Sequence, residues 1–364
     1  MIKHIKCIAF VSLLALFSFS ATSQTKNYLE FNPQIAITAF TPDYQLTGPV
    51  YGAELTYHEG ISQNAAQWKK MLHLKSLGFS FNYHDLSGVK IVGDEGANKF
   101  GSSFAALAGF NVSLLRVGRL ELLVSPAFGL SFQTRTFFTD GNLVIGSHLN
   151  FASRIGLRAQ QELGTNTRLL TTIQVLHSSN GGFRVPNNGI NLLNVGIGIA
   201  HDLKTSPNYG LFDRTSFKTH SFEFAIGVGR RGRYHHQENF YRSTLYGGYS
   251  YRLNPLVAFS LGVDAVYYYT IYNPNDHART YQSYATSNSR WRVGATTGPD
   301  IWMGKLALSV KFGYYLYYNS LREVKVYESV GLRYQAFQHF SLFSKVFLHG
   351  TEADFASVGV AYTL

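Results

Sequence analysis

The chain has 364 residues, 15% aromatic and only 15% charged, with 28 Phe, 24 Tyr, 9 Pro and a formal net charge of +11. That composition suits strands bearing a large apolar surface. The single cysteine, Cys7, sits in the first segment, which excludes disulfide and thiol chemistry from the mature chain, and nothing resembles a nucleic-acid-binding module.

The first segment, MIKHIKCIAFVSLLALFSFSATSQ, has Lys3 and Lys6, an apolar core from Ile8 to Phe19, and small residues before Gln24. It predicts a secretory signal peptide over residues 1–23. The core is too short to span a membrane comfortably, and no later run reaches about 18 apolar residues, so no transmembrane helix is written in the chain. Loss of Lys3 and Lys6 with the signal leaves +9 (11 − 2), a charge that points an exported chain toward anionic lipid.

Beyond the signal, segments of about ten residues alternate apolar with polar or small side chains, as transmembrane β-barrel strands do. The clearest are NYLEFNPQIAITAF (27–40), LHLKSLGFSFNYH (72–84), LELLVSPAFGLSFQ (120–133), LLTTIQVLH (169–177), LLNVGIGIAHDL (192–203), LVAFSLGVDAVYYY (256–269), KLALSVKFGYYLYY (305–318) and FASVGVAYTL (355–364). With the weaker segments the count is about sixteen antiparallel strands, half before Leu203 and half after His220. Each half ends like a complete meander, so the predicted architecture is all-β, two eight-stranded barrels over 24–203 and 220–364 joined by a linker over 204–219. One larger barrel is the alternative. Short turns (RVGRL, LGTNT, RLNPL, AFQH) fall on a periplasmic side. Longer polar loops near 85–97, 135–146, 179–190, 230–241 and 271–288 fall on an external side. The connection HEGISQNAAQWKK (58–70) is longer than its side of the pattern calls for. The last strand turns Val358, Val360, Tyr362 and Leu364 to one outward face.

The segment HSSNGGFRVPNNGIN (177–191) crowds polar residues at the external end of strand seven. Alternation along the strand puts His177 with Thr171, Ile173 and Val175 on the outward face, and Ser179 joins it if the strand continues. Their Cα atoms would then be roughly 7 Å apart, at a rise of about 3.3 Å per residue, close enough for a base and its nucleophile. On the next strand Asn191 shares the outward face with Leu193, Val195 and Ile197, and antiparallel pairing brings it to His177 as an orienting partner. Asn180, Gly181, Gly182 and Asn187 offer amide donors and permissive backbone for an oxyanion. A lone His-x-Ser is by itself a common chance spacing, and loop asparagines are commonest as turn formers.

HSSN followed by Gly-Gly and PNNGIN resembles the active-site segment of the outer-membrane lipid A 3-O-deacylase family, acyloxyacyl hydrolases, over about residues 27–203. The resemblance implies a barrel of about eight strands with an outward serine–histidine–acid triad that removes an ester-linked acyl chain from lipid A. It makes His177 the general base, Ser179 the nucleophile, and Asn180, Gly182 and Asn187 the residues for the oxyanion or for substrate positioning. Asn191 stands where the family has Glu. Ser147, His148 and Asn150, in IGSHLN (145–150), are expected near the substrate head group. It implies an outer-membrane protein of a Gram-negative bacterium with its site toward the external leaflet, lipid A or lipopolysaccharide and outer-membrane lipid as partners, and no cofactor or metal. A non-enzymatic porin or binding barrel and an outer-membrane phospholipase are the alternatives.

Three later features complete the reading. RRGRYHHQENFYR (230–242) gathers Arg230, Arg231, Arg233, His235, His236 and Glu238. Adjacent histidines on an extended chain point apart, against a metal site, and phosphate groups suit the arginines better. The last hairpin carries His349, Glu352 and Asp354, of which Glu352 or Asp354 is a candidate to supply the missing carboxylate. Tyr267, Tyr268 and Tyr269, with Tyr314, Tyr315, Tyr317 and Tyr318, are expected in an interfacial aromatic girdle.

Overall fold

The computed structural model describes residues 26–62, 65–94, 96, 99–203, 217–233, 237, 239–272, 287–320, 324–350 and 352–364. The predicted signal peptide and residues 204–216 of the predicted linker lie outside them. So do His235, His236 and Glu238, on which the metal reading rested.

Sixteen long antiparallel strands form two closed barrels. The first comprises β1 (Tyr28–Phe40), β2 (Val50–Gly60), β3 (Leu74–Asp85), β4 (Ser102–Val117), β5 (Leu120–Gln133), β6 (Leu149–Glu162), β7 (Thr167–Ser179) and β8 (Ile190–Asp202), with β1 pairing both β2 and β8. The second comprises β9 (His220–Gly232), β10 (Asn239–Arg252), β11 (Val257–Tyr268), β12 (Trp291–Met303), β13 (Leu306–Tyr317), β14 (Val326–Gln335), β15 (Phe340–His349) and β16 (Glu352–Thr363), closed by β9 on β16. Two barrels, rather than one larger one, are therefore what the chain forms. Most short turns lie at one end of each barrel and most long loops at the other, the exceptions being the long 61–73 connection among the short turns and the short 350–351 connection among the long loops.

Alternation explains the closure. Along β1, Leu29, Phe31, Ile35 and Ile37 are exposed while Glu30, Asn32 and Gln34 are buried. A barrel apolar outside and polar inside is the inverse of a soluble one and matches a hydrocarbon surrounding. Val358, Val360, Tyr362 and Leu364 are likewise exposed.

Both interiors are filled. In the first barrel Glu54 accepts from Arg154, from Arg158 Nη2 at 2.6 Å and from Gln174 Nε2 at 3.0 Å, and Arg158 also pairs with Glu30. Above this polar layer, under the long loops, an apolar cluster gathers Val144, Ile145, Leu176, Ile190 and Leu192. In the second barrel Asp354 is ringed by Arg231, Arg242 and Arg292, and Tyr268 Oη donates to its Oδ2 at 3.0 Å.

The tyrosine girdle needs correcting on this point. Tyr268 and Tyr315 are buried inside the barrel, while Tyr269, Tyr314 and Tyr317 face outward. Consecutive strand residues cannot share a face, so an unbroken tyrosine run is divided between interior and surface.

The long 58–70 connection has a role in joining the barrels. It carries a short helix, α1 (Gln67–Met71), and Trp68 packs with Ile61, Ala65 and Val112 beside Met303 of the second barrel.

Candidate active site

β7 continues through Ser179, so alternation holds to the end of the segment. His177 and Ser179 lie on the outer face. Ser178 points inward, 2% exposed, accepting a hydrogen bond from Ser131 Oγ at 3.1 Å. β8 pairs Asn191 directly with His177. Inward neighbours Leu176, Ile190 and Leu192 belong to the apolar cluster, so close packing beneath the hairpin restrains the groups above.

His177 Nδ1 is 2.8 Å from Asn191 Oδ1, and His177 Nε2 is 2.9 Å from Ser179 Oγ. The tautomer follows from one further contact. Asn191 Nδ2 donates to the Phe40 carbonyl at 3.1 Å, which turns Oδ1 toward the ring. Oδ1 can only accept, so Nδ1 carries the proton and Nε2 offers its lone pair to the Ser179 hydroxyl. Phe40 reaches this position because β1 shifts register between Ala36 and Thr38 and thereby sets Phe40 opposite Asn191. The bulge is one residue that re-aims the rest of the strand.

Gly189 leaves room for the ring. Its φ is +67°, and a Cβ there would lie 2.9 Å from His177 Cε1 and 3.4 Å from Ser179 Cβ. Gly189→Ala is expected to displace the imidazole and to lower the turnover of any reaction using it about 10–100-fold. Steady-state rates, with the thermal midpoint as a control, check this.

The predicted oxyanion residues are differently employed. Asn180 N–H donates to Asn187 Oδ1 at 2.7 Å, Asn180 Nδ2 to Ser147 Oγ at 2.8 Å, and Gly182 N–H to Asn180 Oδ1 at 3.0 Å. Asn180 therefore braces the loop, with its backbone N–H, one of its two Nδ2 hydrogens and the Gly182 N–H engaged within it. Among the described residues, Asn187 Nδ2 and Gly181 N–H are donors of this loop that are not engaged in its bracing bonds. Sequence reasoning named Asn187 for its type but could not show which of its atoms braces the loop.

Ser147 and Asn150 support the same loop: Asn150 is 2% exposed and its Nδ2 donates to Ser147 O at 2.9 Å. Both also line the groove beside the site. His148 lies on Phe132, with Nδ1 2.7 Å from Gln133 O, and lines an open groove beside the site. The groove, about 500 Å³, runs from Phe151 and Asn180 to Arg184 and Arg230. Phe151 is the strand partner of Ser179.

The last hairpin does not deliver a carboxylate to His177. Asp354 is committed to its arginine ring inside the second barrel, and Glu352 pairs with Arg231 at 3.4 Å. His349 lies 3.1 Å from Tyr315 Oη. What the second barrel does supply is backing for the loop. Gly182 O accepts from Gly232 N–H at 2.7 Å, and a Cβ on Gly181 would meet Val346 at 3.1 Å and Ala356 at 3.3 Å. Ala356 is on the outward face of β16 yet fully buried, because the 177–191 loop covers it.

The crystal structure of the outer membrane enzyme PagL is similar to this chain, with 19% identity, a TM-score of 0.31, and coverage of 48% of this chain and 99% of that one. The Acinetobacter baumannii outer membrane protein Omp33 is 10% identical, with a TM-score of 0.16, over 94% of this chain and 99% of that one. No curated protein sequence matches the chain. Residues 53–200 match the lipid A 3-O-deacylase (PagL) family model, and residues 220–364 match the model of the acyloxyacyl hydrolase C-terminal domain. With one model on each barrel, the chain belongs to the lipid A 3-O-deacylase family, as a member that carries a second barrel.

Proposed function

We propose that the protein is an outer-membrane esterase that removes one ester-linked acyl chain from lipid A by serine–histidine catalysis, with its site in the external leaflet. The observation that carries this reading is the hydrogen-bonded line Ser179–His177–Asn191 on the outward face of a barrel rim, where an acyl chain in the bilayer can lie against it. Ser179 Oγ attacks the ester carbonyl as its proton passes to His177 Nε2, and the resulting oxyanion takes donors from Asn187 Nδ2 and Gly181 N–H. Collapse expels the sugar alkoxide, which takes the proton from Nε2. Water then attacks the acyl-enzyme, giving its proton to Nε2, and the fatty acid leaves as Ser179 recovers its hydrogen.

Asn191 in place of an acid has a defined cost. In a serine protease, replacing the triad acid by its amide slows catalysis about 10⁴-fold, chiefly through the wrong tautomer. Here the Phe40 carbonyl holds the amide the right way round, so what is missing is the charge that would steady the imidazolium. Asn191→Leu removes the anchor as well, and turnover is expected to fall a further 10²-fold or so. Michaelis kinetics on lipid A in detergent check it, with KM expected to change little.

The function itself is tested by mass spectrometry of lipid A from an outer membrane carrying the wild-type chain and from one without it. Loss of one ester-linked acyl chain, with release of one fatty acid, is the expected result. Unchanged lipid A with the protein inserted refutes the reading, and fatty acid released from phospholipid alone transfers it to a phospholipase. Against the porin alternative, the cavity among Asp264, Asp300, Lys311, Arg333 and Lys345 inside the second barrel is about 70 Å³, room for a few waters.

A further inference from the structure

We infer that the junction of the two barrels binds a phosphate group of the substrate's glycolipid head group, through Arg184 of the first barrel and Arg230 of the second. This rests on the deacylase reading and gives the second barrel a part in it. Both guanidinium groups line the groove that starts at Phe151 and Asn180, the neighbours of Ser179.

Each is held in place across the junction. Arg230 Nε donates to the Phe183 carbonyl at 3.3 Å, and Arg184 Nη1 donates to the Gln237 carbonyl. Each also lies over a ring of the first barrel, Arg184 Cζ 5.6 Å from the Phe138 centroid and Arg230 Cζ 5.2 Å from that of Phe183. An arginine has five N–H donors, so most of each fork remains for a ligand. Among the described residues, neither makes an ion pair. The nearby carboxylates are used elsewhere, Asp140 on Arg135 at 3.5 Å and Glu352 and Asp354 on Arg231.

Without a counter-ion among the described residues, these two cations facing one groove repel each other. A phosphate monoester is the anion that relieves this best, because it carries close to two charges near neutral pH and accepts paired N–H bonds from arginine. The groove also has the right vertical order. Leu130, Leu149 and Phe151 form its apolar side, toward the acyl chains, and the arginines stand at the rim, toward the head group. A second observation ties the site to both barrels: Gly232 has no room for a side chain, since a Cβ would lie 2.6 Å from Arg184 Cα. The backbones of the two barrels are therefore in contact where the arginines meet.

The test uses binding, so that hydrolysis does not enter it. Ser179→Ala protein in detergent micelles is titrated with lipid A and with lipid A stripped of its phosphates. Removal of phosphate is expected to weaken binding about 10–100-fold. Added Arg230→Gln should weaken binding of the phosphorylated lipid by a similar factor and leave the dephosphorylated lipid unchanged. Arg230→Lys keeps the charge and should preserve the discrimination, which separates recognition from loss of the Phe183 contact. Inorganic phosphate should displace lipid A from the arginine-bearing protein and not from Arg230→Gln. Equal affinity for the two lipids, or an Arg230→Gln loss equal on both, overturns the inference. Phosphate binding without discrimination between lipids assigns the site to free phosphate and overturns the head-group assignment. Failure of the deacylase reading shows separately, as wild-type protein that releases fatty acid from neither lipid.

Discussion

Ser179→Ala is expected to reduce fatty-acid release about 10³–10⁶-fold, to the level that binding and oxyanion donors sustain without a nucleophile. His177→Ala should fall as far, and the double variant little further, because the two residues act as one unit through the 2.9 Å contact between His177 Nε2 and Ser179 Oγ. The adjacent serine provides the control. Ser178 faces the barrel interior and is bonded to Ser131, so Ser178→Ala should retain nearly full activity. Initial rates with purified, folded protein decide the matter. An Ser179→Ala enzyme within about tenfold of wild type would remove Ser179 from the chemistry, since general-base and nucleophile losses are never that small.

The second large effect concerns stability. Arg158 is fully buried and is the cation shared by Glu30 and Glu54 in the first barrel. Arg158→Leu leaves buried Glu54 paired with Arg154 and buried Glu30 with only His58 beside it, and removal of one partner from such a network typically costs about 3–5 kcal/mol. The expected result is a correspondingly lower urea midpoint in detergent, measured by tryptophan fluorescence or gel mobility. Because Glu30 lies on β1, Glu54 on β2 and Arg158 on β6, the loss weakens ties across the barrel rather than within one hairpin. A change under about 1 kcal/mol would mean that water enters the interior and screens these charges. Gly189→Ala, by contrast, should lower the midpoint only modestly, by the strain of an alanine at φ +67°, and act mainly on the rate.

Most of the candidate site's geometry was legible because it is local. His177, Ser179 and Asn191 belong to one hairpin, and faces repeat every second residue, so alternation and pairing suffice to bring them together. The same periodicity separated lipid-facing from inward residues along most strands. It failed for the tyrosine runs only because a run of one residue type carries no alternating signal. Asn180 and Ser147 were named for their chemistry, but their partners are each other's loops. Residues 33 apart in sequence give no register from which a contact could be read.

Strand number, the division into two barrels, and the placement of His177, Ser179 and Asn191 together on one outward face were thus determined by the sequence, through side-chain alternation and nearest-neighbour pairing. Three things were decided only by tertiary structure. The Phe40 carbonyl sets the tautomer of His177 from a strand 151 positions from Asn191. Arg154 and Arg158 meet Glu30 and Glu54 across the barrel, and Arg184 meets Arg230 between barrels. Each depends on how closed sheets bring remote strands together, and closure is a property of the whole ring of registers rather than of any one segment.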